Sequence, residues 1–208
     1  TPMRGGSSVS GQGGSNRRVL PDFEIITFHS GGTGARPTLD GLSGTAFPSG
    51  VRTVPIEAIE NVSPLIVWKK EMRPDSGGAG RSRGGLGQVM EIAGKDDLEF
   101  ASNNIFDRVT FAPRGRDGGL PGAAGQVRWK SGKAMRPKGF HIIPDGDRLM
   151  LLMPGGGGFG DPATRDAELV ARDVRDGLVS PEKARELYKV AVSGDGRLDA
   201  AETLRLRG

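Results

Sequence analysis

Apolar residues in this chain fall into short runs separated by turn residues, with two longer helical patterns near the end. Phe23-Glu-Ile-Ile-Thr-Phe28, Leu65-Ile-Val-Trp68, Val89-Met-Glu-Ile-Ala93 and Arg148-Leu-Met-Leu-Leu-Met153 read as strands, as do shorter runs at 98–100, 109–111 and 126–129. Strands at 8–12-residue spacing between turn signals predict a meander- or sandwich-like sheet over 88–140. Val54-Pro55 predicts an edge strand or extended loop, because proline cannot donate to a ladder. Asn103 and Asn104 fit turns. Ala167, Val170, Ala171 and Val174 share one helical face, with Asp161-Pro162 as its start and Gly177 as its stop. Ser180-Pro181 starts a second helix, ending near Tyr188. The expected fold class is α+β, mainly antiparallel β with glycine-rich loops and two short C-terminal helices. The expected organisation is a glycine-rich segment over 1–18, a β-rich domain over 19–160 and a helical segment over 161–208.

Composition narrows this picture. Of 208 residues, 35 are glycine and 14 proline, while hydrophobic residues make up 35% and aromatics 5%. Such a chain has a thin side-chain core and is expected to lean on partner surfaces. The 29 basic and 25 acidic residues leave a net charge of +4. They are interspersed rather than gathered in a basic stripe, so nucleic acid is not an expected partner despite a pI near 9.7. No apolar run approaches the roughly 20 residues of a membrane helix, and a cytoplasmic location is expected. The absence of cysteine excludes disulfides, thiolate metal sites and thiol catalysis.

Three glycine-rich stretches then stand out: Gly31-Gly-Thr-Gly34, the segment 73–87 (Arg-Pro-Asp-Ser-Gly-Gly-Ala-Gly-Arg-Ser-Arg-Gly-Gly-Leu-Gly), and Pro154-Gly-Gly-Gly-Gly-Phe-Gly160. Glycine is worth ordering where the backbone takes φ > 0 or approaches a ligand or another chain closely. Successive N–H groups at Gly31–Gly34 could form an anion nest. Gly155, Gly157 and Gly160 satisfy G-x-G-x-x-G after a strand, yet the helix start at Asp161-Pro162 does not suit dinucleotide binding. No G-x-x-x-x-G-K-[ST] occurs, so the chain carries no nucleoside-triphosphate loop of its own. Glu57 and Glu60, three apart, would share one face of a helical turn, where carboxylates can act as bases or ligands or simply as exposed helix-start acids. His29 and His141 sit beside strands and read as structural. The stretch 194–199 lacks the alternating acids and terminal glutamate of a calcium loop.

The segment 73–87 closely resembles the signature of the hydantoinase B/oxoprolinase family. Four further stretches resemble it in the same order: Gly31-Gly-Thr-Gly-Ala-Arg-Pro37 with Asp40-Gly41, Val54-Pro-Ile-Glu57 with Glu60, Pro154-Gly-Gly-Gly-Gly-Phe-Gly-Asp-Pro162, and Asp173-Val-Arg-Asp-Gly-Leu-Val-Ser180. Where family members often follow the tyrosine with Gly-Val, this chain has Lys189-Val190. The resemblance implies part of the B subunit of an ATP-dependent cyclic-amide hydrolase of hydantoinase or 5-oxoprolinase type, within a hetero-oligomer. ATP and Mg would be bound by a partner, a hydantoinase A-type subunit. A divalent metal would be held by the N-terminal part of the B subunit, with none in this chain, and Thr1 would be a cut point, a processing site or the start of a split subunit. Alternatives are a ketone carboxylase subunit of acetone or acetophenone type, or a docking segment without catalytic residues. Candidate catalytic residues are Glu57, Glu60, Asp75 and Arg81. Candidate substrate- or anion-binding residues are Gly32, Gly34, Arg73, Ser76, Gly78 and Arg83.

Overall fold

A computed structural model describes the backbone of residues 4–11 and all of residues 23–45 and 54–208. The strands are β1 (Arg4–Gly11), β2 (Phe23–Ser30), β3 (Leu65–Met72), β4 (Gln88–Gly94), β5 (Phe100–Phe106), β6 (Gln126–Trp129), β7 (Lys138–Ile143), β8 (Leu149–Leu152), β9 (Ala191–Val192) and β10 (Leu198–Asp199). The helices are α1 (Ile56–Val62), α2 (Ala167–Arg175), α3 (Pro181–Tyr188) and α4 (Ala200–Arg207). The fold is α+β with antiparallel sheets.

Two four-stranded sheets, β2-β1-β5-β7 and β3-β4-β8-β6, form a sandwich. Phe100, Phe106 and Ile143 from the first meet Leu65, Met90, Ile92, Leu149 and Leu151 from the second, and α1 adds Ile59. From β4 to β8 each successive strand lies in the other sheet, so the segment 88–140 does not pair as a meander of chain neighbours. Period-2 patterning marks a strand's two faces but carries no information about which sheet it joins. The glycine- and serine-rich β1, whose composition resembles a tail, lies between β2 and β5 in continuous register.

Several local expectations shift. Pro55 is the N-cap of α1 rather than part of an edge strand, and Glu57 lies in the first helical turn. Asn103 and Asn104 lie within β5 rather than in a turn. Residues 109–111 form bends rather than a strand. The side chain of Asp161 does accept the Ala163 N–H, but it caps a 3-10 turn at Pro162–Thr164; α2 starts afresh with Asp166 as N-cap. Gly177 ends α2 with φ +69° as expected. A third C-terminal helix, α4, follows the two expected ones, N-capped by Asp199. Its apolar positions are too few to mark a face in sequence.

Beside the sandwich lies a layer made almost wholly of backbone. Segments 31–44, 76–87, 113–123 and 154–160 run extended against one another and exchange main-chain hydrogen bonds. Gly32 N–H donates to Pro154 O (3.0 Å), Gly85 N–H to Thr33 O (2.9 Å), Gly156 N–H to Gly85 O (2.8 Å) and Gly78 N–H to Gly156 O (2.8 Å). Across the other flank, Leu120 N–H donates to Ala79 O (2.7 Å) and Gly158 N–H to Leu120 O (2.9 Å). Within 73–87 no glycine has positive φ; only Asp75 does, at 59°. The glycines are therefore there for close approach: a Cβ on Gly156 would lie 1.7 Å from Thr33 O, and one on Gly78 2.2 Å from Leu120 O. Helices α2 and α3 close over this layer with Val170, Val174, Ala184 and Tyr188 around Ala79.

Candidate functional site

Each sequence-selected residue has a definite place. Glu57 and Glu60 are exposed on α1, and Glu60 Oε1 accepts the Val67 N–H (2.9 Å). Exposed Asp75 accepts the Ser180 N–H (2.8 Å), tying the glycine layer to the start of α3. The half-buried Arg73 guanidinium donates to Ala124 O (2.8 Å) and Met153 O (3.3 Å), and burial lowers its pKa. Ser76 Oγ donates to Arg73 O (2.5 Å) and accepts the Gly87 N–H (2.9 Å), closing the loop on itself. Arg81 stays exposed, reaching Pro37 O at 3.4 Å with its guanidinium 6.0 Å from the Phe159 ring. These candidates are spread over α1 and both flanks of the glycine layer. Among the named candidates, Gly32 and Gly34 line a cleft beside the glycine layer.

Arg83 belongs to a buried ion network that links three segments of the chain. Its Nε lies 3.3 Å from Asp173 Oδ2, and its backbone N–H donates to Asp40 Oδ1 at 2.6 Å. Arg165 grips both acids, reaching Asp40 at 2.7 and 2.8 Å and Asp173 at 2.9 Å. Burial raises the Asp40 carboxyl, but bonds from Arg165 and the Arg83 N–H outweigh it and leave its pKa below the ordinary value. Burial likewise works against the Arg165 charge, and the two carboxylates reverse the effect and raise its pKa. Asp40, Arg83 and Asp173 all lie in the family-like motifs, yet the pairing spans as many as 125 residues of sequence.

A cleft of about 580 Å³ opens beside the glycine layer. Thr33 to Arg36 form one wall, Pro113, Arg114, Arg116 and Arg108 the other, and Gly156 to Gly158 the floor. The walls are brought together by Ala35 N–H to Gly157 O (2.8 Å) and Arg116 N–H to Gly158 O (2.9 Å). Nothing in the local sequence marks Arg36, Arg108, Arg114 and Arg116 as a group. Their gathering depends on two long-range backbone bonds that no local pattern announces. Among the described residues no three His, Asp or Glu side chains gather as a metal set. No described helix is long and apolar enough to cross a membrane.

A two-sheet sandwich joined to a backbone-packed glycine layer, with cations rather than a phosphate loop at this cleft, defines a β-rich domain without its own nucleotide fingerprint. The chain belongs to the Hydantoinase B/oxoprolinase family, which it matches over residues 5–162. It is 35% identical to the caprolactamase subunit beta of Pseudomonas jessenii over 163 residues, covering 71% of this chain and 27% of that one. The solved structure of the ATP-dependent caprolactamase from the same organism superposes with a TM-score of 0.76 at 25% identity, covering 97% of this chain and 36% of that one. Nucleotide-free acetone carboxylase shares the fold, with a TM-score of 0.75 at 22% identity over 98% of this chain and 32% of that one. The chain spans about a third of the length of the curated relatives it matches.

Proposed function

We propose that this chain serves as part of a B-type subunit in an ATP-dependent cyclic-amide hydrolase, acting with an ATP-binding A-type subunit in a hetero-oligomer. Membership of the Hydantoinase B/oxoprolinase family carries the proposal. The 35% identity to a caprolactamase subunit beta supports the cyclic-amide class. In this proposal ATP and Mg belong to the A-type subunit, and a divalent metal to the N-terminal part of the B subunit. Neither group is assigned to the described residues here, so no chemical step is routed through them.

Within this chain the proposed contribution is electrostatic. A ring amide is a poor electrophile, and negative charge develops on oxygen as it is activated and attacked. The exposed guanidinium of Arg81 is available to such charge, and exposed Glu57 is the carboxylate of the α1 pair whose side chain accepts no backbone N–H among the described residues. Glu60 and Asp75 spend an oxygen on a backbone N–H, which suits positioning of α1 and α3. A second reading, a subunit of a ketone carboxylase, is favoured by the shared fold with acetone carboxylase.

The test is reconstitution. The 208-residue chain alone is expected to show neither ATPase nor amidase activity. Combined with an A-type subunit and the remainder of a B-type subunit, it should support ATP-dependent opening of a lactam or hydantoin, with Glu57→Gln lowering turnover and leaving the melting temperature unchanged. Incorporation of labelled bicarbonate into a ketone, without lactam hydrolysis, would establish the carboxylase reading instead.

A further inference from the structure

The cleft beside the glycine layer has a charge balance that the fold leaves unmatched. Arg36, Arg108, Arg114 and Arg116 line it, and no aspartate or glutamate does. None of the four is paired with a carboxylate among the described residues, whereas Arg83, Arg148 and Arg165 all are. Four like charges around one cleft raise its positive potential, at a small cost where Arg36, Arg114 and Arg116 face solvent. Arg108 adds a second cost, because it holds φ 58°, a region that residues with a Cβ rarely occupy.

The floor of the cleft supplies an independent observation. Most glycine N–H groups in the layer are spent on a neighbouring acceptor, and those of Gly34 and Gly157 are among the several that donate to none among the described residues. Both glycines line the cleft, and Gly157 is buried. A buried N–H without an acceptor is rare and unfavourable unless something outside the chain accepts from it. Unpaired guanidinium forks around unpaired backbone N–H groups make a receptor for a tetrahedral oxyanion bearing more than one charge. The volume of about 580 Å³ exceeds that of a lone inorganic ion and lies within the range of small-molecule sites.

We infer that the cleft bounded by Arg36, Arg108, Arg114, Arg116, Gly34 and Gly157 binds a phosphate-bearing small molecule of two or more negative charges. The inference stands apart from the hydrolase reading, since it rests only on the lining of the cleft and holds or fails whichever reaction the assembly catalyses.

Titration calorimetry of the full 208-residue chain in 150 mM sodium chloride tests it, with pyrophosphate as the probe, inorganic phosphate as the smaller analogue and citrate as the carboxylate arm. Pyrophosphate should bind saturably at one site per chain and more tightly than phosphate or citrate. The exposed pair Arg114→Ala and Arg116→Ala should together weaken it about tenfold or more, the scale of losing charge-assisted bonds. Arg136→Ala, an exposed arginine outside the cleft, should leave affinity unchanged. Circular dichroism melting of each variant confirms that the fold persists. Absence of saturable binding, equal loss from Arg136→Ala, or citrate binding as tightly as pyrophosphate would each overturn the assignment.

Discussion

The sandwich and the glycine layer solve the same problem by opposite means. Between the two sheets, large side chains such as Phe100, Leu149 and Leu151 are buried to 1% exposure or less, and stability comes from apolar area removed from water. In the glycine layer there is almost no side chain to bury. Its segments are held by main-chain bonds such as Gly156 N–H to Gly85 O, and the chains approach until a Cβ would overlap a neighbour's carbonyl. The sandwich therefore tolerates loss of side-chain atoms in proportion to the cavity left, while the layer tolerates no added atom at its contacts. The difference also bears on function: side-chain cores bury their polar groups in pairs, whereas a layer of backbone exposes N–H groups wherever a segment lacks a neighbour.

Adding one methyl group should break the layer more severely than removing three carbons breaks the sandwich. A Cβ at position 156 would sit 1.7 Å from Thr33 O and 2.3 Å from Thr33 C, both backbone atoms with no rotamer to change. Gly156→Ala is expected to cost more than about 4 kcal/mol, in the range reserved for overpacking and broken networks. Leu151→Ala should cost about 2–5 kcal/mol. Gly194→Ala, where an added Cβ meets nothing within 4 Å, is the control and should stay within about 0.5 kcal/mol. Urea midpoints for the three variants provide the check. A folded Gly156→Ala variant no less stable than Leu151→Ala would refute the account of the layer.

The sandwich was the more legible of the two regions. Phe23–Ser30, Leu65–Met72 and Leu149–Leu152 are marked by β-branched and apolar runs, and their faces follow from alternation. The partner of each strand was not legible, because sheet membership depends on long connections rather than on period. In the glycine layer the composition of 73–87 and 154–160 announced close approach, but not that the approach is mutual and internal. Arg73, Ser76 and Arg83 were visible as unusual residues; that they bind the chain's own carbonyls and carboxylates required the fold. The cationic cleft was the least legible feature, since Arg36 and Arg116 come to line one cleft only through the long-range pairing of segments 31–36, 113–116 and 156–158.

Acid titration should set the buried histidine of the sandwich apart from the ion-paired carboxylates by pH window. On the inner face of the first sheet, His29 is buried and bonded to Thr27 Oγ1 at 3.0 Å. Burial first and the charge of Lys70 second lower its pKa from 6.5 to about 4. An unfolded chain then binds a proton that the folded chain does not, so stability falls as pH drops from about 6.5 to about 4, by roughly 3 kcal/mol in total. At the edge of the glycine layer Asp40 behaves differently. Its folded pKa lies below the ordinary carboxylate value, so its contribution is complete above that value and is lost only as pH falls through the folded one. Glu91, in β4 of the sandwich and held by Lys130 and Arg148 against the upward push of burial, adds a loss in the same lower window, so the lower window belongs to both regions. Urea unfolding between pH 7.5 and 3 should show His29→Gln flattening the upper part of the curve and Asp40→Asn the lower. An unchanged slope between pH 6.5 and 4 in His29→Gln would remove the histidine from the account.

The smallest expected effect reverses the rule of the layer by improving a residue that should be glycine. Lys189 caps α3 in the left-handed region at φ 57°, ψ 41°, with its N–H bonded to Ala184 O. Its neighbour Val190 is fully buried in the cluster that joins α3 to the glycine layer, so the turn cannot relax without pulling that side chain out. A side chain held at positive φ costs about 1–2 kcal/mol relative to glycine, while glycine gains freedom in the unfolded chain that offsets part of the benefit. Lys189 is exposed and enters no ion pair among the described residues, so its removal forfeits little else. Lys189→Gly should therefore stabilise the chain by about 0.3–1 kcal/mol, read as a rise of a few degrees in melting temperature. The contrast with Gly156→Ala then isolates the two uses of glycine here: relief of backbone strain at a helix end, and room for another backbone in the layer. A drop in melting temperature for Lys189→Gly would show that the lysine side chain contributes more than its conformation costs.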